Sequence, residues 1–156
     1  MKNEMNILVS DIPREGILRL VMDDQKSGNA LSDEMMSKLI KAIKKASVDD
    51  SVKVIILASE GSIFSSGHNL KQITDAREQS EDGEPYFKEL FDQCSSLMQL
   101  VVNCPKPVIA QISGIATAAG CQLVATCDLA YASSSAKFAT PGVNLGLFCS
   151  TPMVAL

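Results

Sequence analysis

Two turns built from glycine and other small residues are the parts of this sequence best suited to chemistry. They are residues 64–70 (FSSGHNL) and residues 113–122 (SGIATAAGCQ), each placed between an apolar run of strand length and a predicted helix. The first turn of a helix leaves N–H groups without internal partners, and small residues let a ligand approach the backbone. Both turns could therefore present free backbone amides, although either one alone is better explained by close packing of a strand against a helix.

Side chains able to transfer a proton are scarce around these turns. His68 is the only histidine, and Asp128 is the only carboxylate between Gln93 and Leu156. Because histidine titrates near neutral pH, the His68 ring could donate a proton or make a polar contact. The alternative is that only its backbone amide matters and the ring lies along the surface. Any mechanism that requires two histidines is excluded.

The five cysteines predict buried free thiols. Their number is odd, their neighbours are apolar and none forms a C-x-x-C pair, so we expect neither a disulfide framework nor a zinc or other metal site. Cys149 is a further candidate for chemistry. A structural role is favoured for it, because no charged residue stands nearby in the sequence to activate the thiol.

The composition indicates a single domain with a substantial apolar core. The chain has 156 residues, 46% of them apolar, and a net charge of -4. This balance argues against nucleic acid as a partner. No secretory signal or transit peptide is recognisable, and no apolar run approaches the roughly 20 residues needed to cross a bilayer. These features predict a soluble, cytoplasmic protein with no membrane partner.

Hydrophobic periodicity predicts alternating strands and helices. The predicted strands are a hairpin of residues 5–9 and 17–22, followed by residues 52–58, 108–112 and 129–132. The predicted helices run from an N-cap at Ser32 to residues 48–50, over residues 87–101, and within residues 115–127. Residues 74–85 are polar and aperiodic, which predicts a mobile surface loop. This order predicts an α/β fold with a mostly parallel sheet.

Four motifs in order give the chain a resemblance to a known family. They are residues 27–31 (SGNAL), residues 54–67, residues 114–128 (GIATAAGCQLVATCD) and residues 137–146. Together they resemble the crotonase (enoyl-CoA hydratase/isomerase) superfamily over nearly the whole chain. The resemblance implies the crotonase fold of repeated ββα units, with residues 1–156 forming one crotonase-like domain. A helix start at Ser150 so near Leu156 suggests a fragment whose C-terminal helical part is missing, and we expect such a fragment to be poorly soluble.

The resemblance also implies where a ligand binds. In that family the thioester carbonyl of an acyl-CoA lies between two backbone N–H groups, and by position these belong to His68 and Ala119. The family usually has glycine where Ala119 stands, so the methyl group of Ala119 narrows the space through which a ligand approaches the amide. The residues that continue the first loop along the CoA side are Asn69, Leu70 and Lys71. No cofactor is implied beyond the coenzyme A thioester itself.

The chain departs from the family at both acid/base positions. Family hydratases use two glutamates, and the matching positions here are Gln122 and Gly142. A carboxamide can hold a water by hydrogen bonds but cannot take up or release a proton near pH 7, and glycine has no side chain at all. Hydration by a pair of carboxylates is therefore not expected.

These observations leave several functions open. The main hypothesis is an enoyl-CoA hydratase/isomerase-like protein that binds an acyl-CoA through the two amides and is a homo-oligomer, a trimer or hexamer, when full length. One alternative is a catalytically inactive acyl-CoA-binding protein or assembly partner of active paralogues. Another is a decarboxylase or thioesterase with His68 as proton donor. A ClpP-like serine protease ranks last. A mitochondrial matrix location is the alternative to the cytoplasm.

Overall fold

Apolar strands and amphipathic helices alternate along the chain and build a layered α/β structure. The computed structural model describes residues 6–79, 84–146 and 148–156. The strands are β1 (Leu8–Arg14), β2 (Ile17–Met22), β3 (Val54–Ser59), β4 (Ile63–Ser65), β5 (Val108–Ile112), β6 (Ile115–Thr117), β7 (Leu129–Ala132) and β8 (Lys137–Ala139). The helices are α1 (Asp33–Ser47), α2 (Leu70–Gln79), α3 (Glu84–Val102), α4 (Ala119–Thr126) and α5 (Ser150–Ala155), with short 3-10 helices at Gln25–Ser27 and Pro141–Leu145.

The strands pair into two sheets. The larger has the order β1-β2-β3-β5-β7 and the smaller has the order β4-β6-β8. Among the described strands only β1 and β2 pair antiparallel, and the other pairings are parallel. Strands β3, β5 and β7 are each followed by a short strand of the small sheet, and the first two such pairs lead into a helix. The mostly parallel α/β fold with repeated ββα units is therefore confirmed.

The core lies between the large sheet and helices α1 and α3. Strand β3 is central, with β2 on one side and β5 on the other, and its residues Ile55 and Leu57 are fully buried. Val54 and Ile56, on the opposite face of the strand, are half-buried, and this cover on both faces fits a continuous apolar run instead of an alternating one. Helix α3 contributes Leu90, Leu97 and Val101 to the same core, as its periodicity predicts.

Helix α1 begins where the sequence predicts. The Ser32 hydroxyl accepts a hydrogen bond from the Met35 N–H at 3.2 Å, which satisfies one of the free amides of the first turn. Asp33 and Glu34 follow in that turn, where negative charge is favourable. The helix ends at Ser47, so the predicted end near residues 48–50 is also confirmed.

Removing this cap should weaken the fold measurably. Ser32→Ala is expected to lower the free energy of unfolding by about 1 kcal/mol, because the Met35 amide loses its acceptor in a buried setting. Urea unfolding followed by circular dichroism measures the change. Ser32→Thr keeps the oxygen and is the matched control. An equal loss in both variants would show that packing, not capping, is the cause.

Two segments differ from the prediction. Residues 74–79 are the end of helix α2 and residues 84–85 begin α3, so the predicted surface loop is wrong there, while residues 80–83 lie outside the described residues. Helix α2 forms because Asn69 caps it: the Asn69 Oδ1 atom accepts hydrogen bonds from the N–H groups of Lys71 (3.0 Å) and Gln72 (3.3 Å).

The hairpin is confirmed but its first strand is displaced along the chain. Strand β1 starts at Leu8 and continues to Arg14, which the sequence places in the turn, while Met5 lies outside the described residues. An irregularity in pairing between Asp11 and Arg14 lets the strand run on, and Gly16 supplies the positive φ of 81° that the shortened turn needs.

Candidate functional site

The loop that carries His68 is held against the start of helix α1. The Gly67 carbonyl accepts a hydrogen bond from the Leu31 N–H at 2.8 Å, and Leu31 and His68 form an isolated parallel bridge. Gly67 has a φ of 90°, a conformation open to glycine but strained for other residues. The loop is thus fixed by the backbone of a segment far away in sequence.

Asn29 locks that neighbouring segment in place. It is 1% exposed, has a φ of 50°, and its side chain accepts from the Asp24 N–H at 2.7 Å. Its amide nitrogen donates to the carbonyl oxygens of Glu60 and Ile63 at 2.9 Å and 2.7 Å. The first bond closes the turn before α1, and the other two join this turn to the residues between β3 and β4 and to the start of β4. The asparagine of this motif is therefore a structural anchor.

The second loop turns sharply before helix α4. Ala118 has φ 50° and ψ -125°, which is a glycine-type conformation adopted here by alanine. Its N–H donates to the Ala139 carbonyl at 2.9 Å, and its own carbonyl accepts from the Gln122 N–H at 3.1 Å. Because α4 starts at Ala119, the Ala119 amide belongs to the first helical turn, where no backbone acceptor precedes it.

The two loops meet face to face. A Cβ atom placed on Gly67 would lie 2.9 Å from the Ala118 Cβ and 3.1 Å from the Ala119 nitrogen. The Thr117 hydroxyl also donates to the Ser66 carbonyl at 3.2 Å. Within the part of the chain that the structure describes, neither the His68 N–H nor the Ala119 N–H has a hydrogen-bond acceptor. Two such amides can together stabilise a carbonyl oxygen that is gaining negative charge.

The His68 ring is half-buried instead of lying along the surface. It packs edge-on against Phe91 of α3, with ring centroids 5.9 Å apart. Burial lowers the pKa of His68, and the Leu31 carbonyl and the Asp33 charge oppose this only in part. Neither ring nitrogen makes a hydrogen bond of acceptable geometry among the described residues. The ring is therefore neutral near pH 7.

The lowered pKa of His68 makes acid conditions destabilising. The His68 ring binds a proton less readily in the folded protein than in the unfolded chain. The stability that comes from keeping this ring neutral is therefore fully present above the usual pKa of about 6.5 and is lost as the pH falls below it. The urea midpoint should therefore fall more between about pH 7.5 and about pH 5.5 in the wild type than in His68→Gln. Parallel pH dependence in the two proteins would contradict this.

Gln122 faces an apolar groove between α3, α4 and α5. The cavity has a volume of about 390 Å³, and its walls include Phe91, Met98 and Val154. The Gln122 Oε1 atom is buried and has no hydrogen-bond partner among the described residues. Gly142 lies in the 3-10 helix Pro141–Leu145 and is not one of the groove residues. The structure thus does not bring the two predicted acid/base positions together at this groove.

Some of the other predicted residues continue the first loop, and the rest lie elsewhere in the fold. Asn69 caps helix α2, while Leu70 and Lys71 are exposed in its first turn. Cys149 has a φ of 54° just before α5, and its Sγ lies 3.6 Å from the Thr140 carbonyl oxygen. Asp128 accepts a hydrogen bond from the Val108 N–H at 2.7 Å, which ties two strands of the large sheet and fits a structural role.

Phe91 is the site residue that the sequence did not reveal. Its helical spacing predicts a core position, yet it is 47% exposed, contacts the His68 ring and lines the groove. Periodicity identifies the inward face of α3 but does not distinguish a core side chain from one at the edge of a cavity.

The described residues contain neither a metal-binding cluster nor a membrane-spanning helix. Over residues 6–79, 84–146 and 148–156, no three histidine, cysteine, aspartate or glutamate side chains are grouped so that they could hold a metal ion. In the same ranges, every helix is too short or too polar to cross a membrane.

Comparison with known protein families identifies one family that this chain matches. Residues 13–155 match the family model described as "Enoyl-CoA hydratase/isomerase". The chain belongs to this family. The match includes both amide-bearing loops and the strands that position them, so the local arrangement around His68 and Ala119 lies within the family domain.

Curated relatives within the family are about 50% identical to this chain over the aligned residues. Enoyl-CoA hydratase domain-containing protein 3, mitochondrial, of Xenopus laevis is 52% identical over 141 residues, covering 90% of this chain and 46% of the relative. The protein of the same name from Homo sapiens is 50% identical over 142 residues, covering 91% and 45%. The chain therefore spans about half the length of the curated relatives that it matches.

Solved structures show the same fold. The crystal structure of human enoyl coenzyme A hydratase domain-containing protein 3 aligns with a TM-score of 0.87 and 47% identity, covering 96% of this chain and 57% of that one. An enoyl-CoA hydratase structure from Mycobacterium smegmatis aligns with a TM-score of 0.88 and 42% identity, covering 97% and 57%. The crotonase fold expected from the sequence is confirmed.

Proposed function

We propose that this protein binds an acyl-CoA thioester and holds its carbonyl oxygen between the backbone amides of His68 and Ala119. The observation that carries the proposal is the meeting of two loops whose amides have no acceptor among the described residues. Family membership supports a CoA thioester as the ligand. Asn69, Leu70 and Lys71 would continue the site along the CoA side, with exposed Leu70 and Lys71 available for contact.

The side chains around this hole favour binding over hydratase chemistry. Gln122 provides a carboxamide and Gly142 provides no side chain, so neither can transfer a proton. Asp128 is engaged with the Val108 N–H. A ligand carbonyl can therefore be polarised here, but the acid and base that hydration needs are missing from both positions.

The alternative functions are a decarboxylase or thioesterase and a serine protease, and the observations support them unequally. A decarboxylase or thioesterase would use His68 as proton donor, and both nitrogens of its ring are buried without a hydrogen-bond partner among the described residues. Its lowered pKa keeps it mostly neutral at pH 7, which favours a binding or assembly role. A ClpP-like serine protease needs a serine hydrogen-bonded to histidine, and within the described residues His68 has no such partner.

Assembly and location are part of the proposal. Apolar side chains on β7 and near α5 are exposed, including Tyr131 (68%) and Phe148 (78%), which supports a homo-oligomer, a trimer or hexamer, in the full-length protein. The two relatives described above have the word mitochondrial in their names, which supports the mitochondrial alternative. The cytoplasmic expectation stays a prediction.

Removing the Ala119 amide tests the proposal most directly. Replacing Ala119 by its α-hydroxy analogue, lactic acid, through chemical ligation converts the N–H donor into an ester oxygen with almost no change in shape. The dissociation constant for butyryl-CoA is expected to rise roughly two- to twelvefold, because one hydrogen bond contributes about 0.5–1.5 kcal/mol net. Ala119→Pro, which also adds a ring at a 2% exposed position, should abolish binding.

The matched control is His68→Ala, which keeps the backbone amide and removes the ring. Its effect on the dissociation constant should stay below about twofold, since only side-chain packing is lost. Calorimetric titration gives the constants, and circular dichroism confirms that each variant is folded. Normal affinity in a folded ester or proline variant would show that the amide assignment is wrong.

A further inference from the structure

The groove beside Gln122 is long as well as apolar. On the α3 side its wall extends from Phe91 to Val102. At 1.5 Å per helical residue this is about 16 Å, the length of an extended chain and not of a short acyl group. Helix α4 forms the opposite wall and α5 closes part of the third side.

No lining residue of the groove carries a formal charge. The α3 wall is formed by Cys94, Met98 and Val102 among others, and α5 adds Val154. Burial raises the pKa of the Cys94 thiol to about 11, so this side chain is also neutral. An aliphatic occupant would gain free energy where it lies against the apolar residues of this groove, whereas a charged one would lose hydration without finding a partner.

One end of the groove adjoins the two free amides. Gln122 lies one helical turn after Ala119 on α4, so the two residues share a face of that helix. Phe91 touches the His68 ring and also lines the groove. A thioester carbonyl held at the amides would therefore direct its acyl chain past Phe91 and Gln122, along α3 towards Val102.

We infer that this groove selects thioesters with an aliphatic chain of medium or greater length, in preference to short acyl groups. The inference rests on the proposed acyl-CoA function and adds the class of acyl chain to it. Its basis is the length of the groove, its neutral and mostly apolar lining, and its continuity with the amides of His68 and Ala119.

A series of ligands tests the inference in the wild-type protein. Dissociation constants are measured by calorimetry for coenzyme A, butyryl-CoA, octanoyl-CoA and decanoyl-CoA. A fully buried methylene contributes about 0.8 kcal/mol, and half of that in a partly open groove corresponds to about a twofold gain in affinity per methylene. Equal affinity for butyryl-CoA and decanoyl-CoA would overturn the inference but leave the proposed function intact. Failure of every thioester to bind would overturn both.

Two neighbouring serines on α3 provide a matched pair of variants. Both side chains are exposed, but Ser95 lines the groove and Ser96 does not. Ser95→Phe should block the chain and remove most of the gain from butyryl-CoA to decanoyl-CoA, while affinity for butyryl-CoA changes less than twofold. Ser96→Phe should leave the whole series unchanged. An identical series in both variants would show that the chain binds elsewhere. The wild-type series decides the question even if one variant is poorly folded.

Discussion

Crotonyl-CoA is expected to remain unhydrated above background in the presence of this protein. Positioned acids and bases each contribute roughly 10²–10⁴-fold in rate, and here the sequence predicts Gln122 and Gly142 at the two positions where a carboxylate is required. The structure adds a second reason, because Gly142 lies in a 3-10 helix and is not one of the groove residues around Gln122. Binding without turnover is the expected behaviour.

The measurement is the loss of enoyl absorbance, with parallel assays on malonyl-CoA and methylmalonyl-CoA for decarboxylation. Dissociation constants without turnover on any of these would support a binding role, and turnover only on the malonyl thioesters would support the decarboxylase alternative. The double variant Gln122→Glu with Gly142→Glu is expected to recover no more than a trace of hydration. Robust hydration by the wild type would refute the assignment of these two positions.

Gly120→Ala is expected to lower the free energy of unfolding by about 3 kcal/mol or more. A Cβ atom on Gly120 would lie 2.4 Å from the Ser65 carbonyl oxygen and 2.7 Å from the Ser65 Cβ. Both Ser65 and Gly120 are buried, so neither backbone can move aside cheaply, and overpacking of this kind costs about 1–3 kcal/mol or more. Against a total of about 5–15 kcal/mol, this loss would be large.

Ala118→Gly is the matched control, two residues away in the same loop. It removes a methyl group and lets a glycine adopt the positive φ of 50° that alanine holds under strain. The relief of strain, about 1–3 kcal/mol, exceeds the entropy cost of a new glycine, about 0.4–1 kcal/mol. Urea unfolding should therefore show a gain for Ala118→Gly and a loss for Gly120→Ala. A loss in both would indicate that the Ala118 methyl, packed against Gly67, matters more than its backbone strain.

Local signals in the sequence were sufficient for the main elements. Residues 108–112 and 129–132 are strands with the predicted bounds, and Ser32 caps α1 as its position before Asp33 and Glu34 indicates. These elements are specified by apolar runs and by cap residues, which act over a few positions. The start of α2 could also be identified from its cap residue, Asn69. The rest of α2 could not, because its residues are mostly polar and show no apolar periodicity.

The parts that the sequence did not reveal depend on contacts between distant residues. The strands of the small sheet that frame the site, such as β4 and β6, are three residues long, too short for an alternating pattern to identify. The bridge between Leu31 and His68 joins segments far apart in the chain, and the exposure of Phe91 depends on where α5 packs. The positive φ of Ala118 is a backbone property that its residue type argues against.

Because the candidate site uses main-chain amides at the junction of Gly67 and Ala119, it responds to mutation differently from a site built of side chains. A backbone N–H is encoded by every codon except those for proline, so point mutations at His68 and Ala119 seldom delete the donors themselves. A glutamate, in contrast, becomes glutamine or glycine through a single nucleotide change. Selection for turnover must therefore preserve the codons of both glutamates. Selection for ligand binding mainly preserves the glycines that let the two loops approach each other. Under relaxed selection, chemistry would disappear from such a gene long before recognition does.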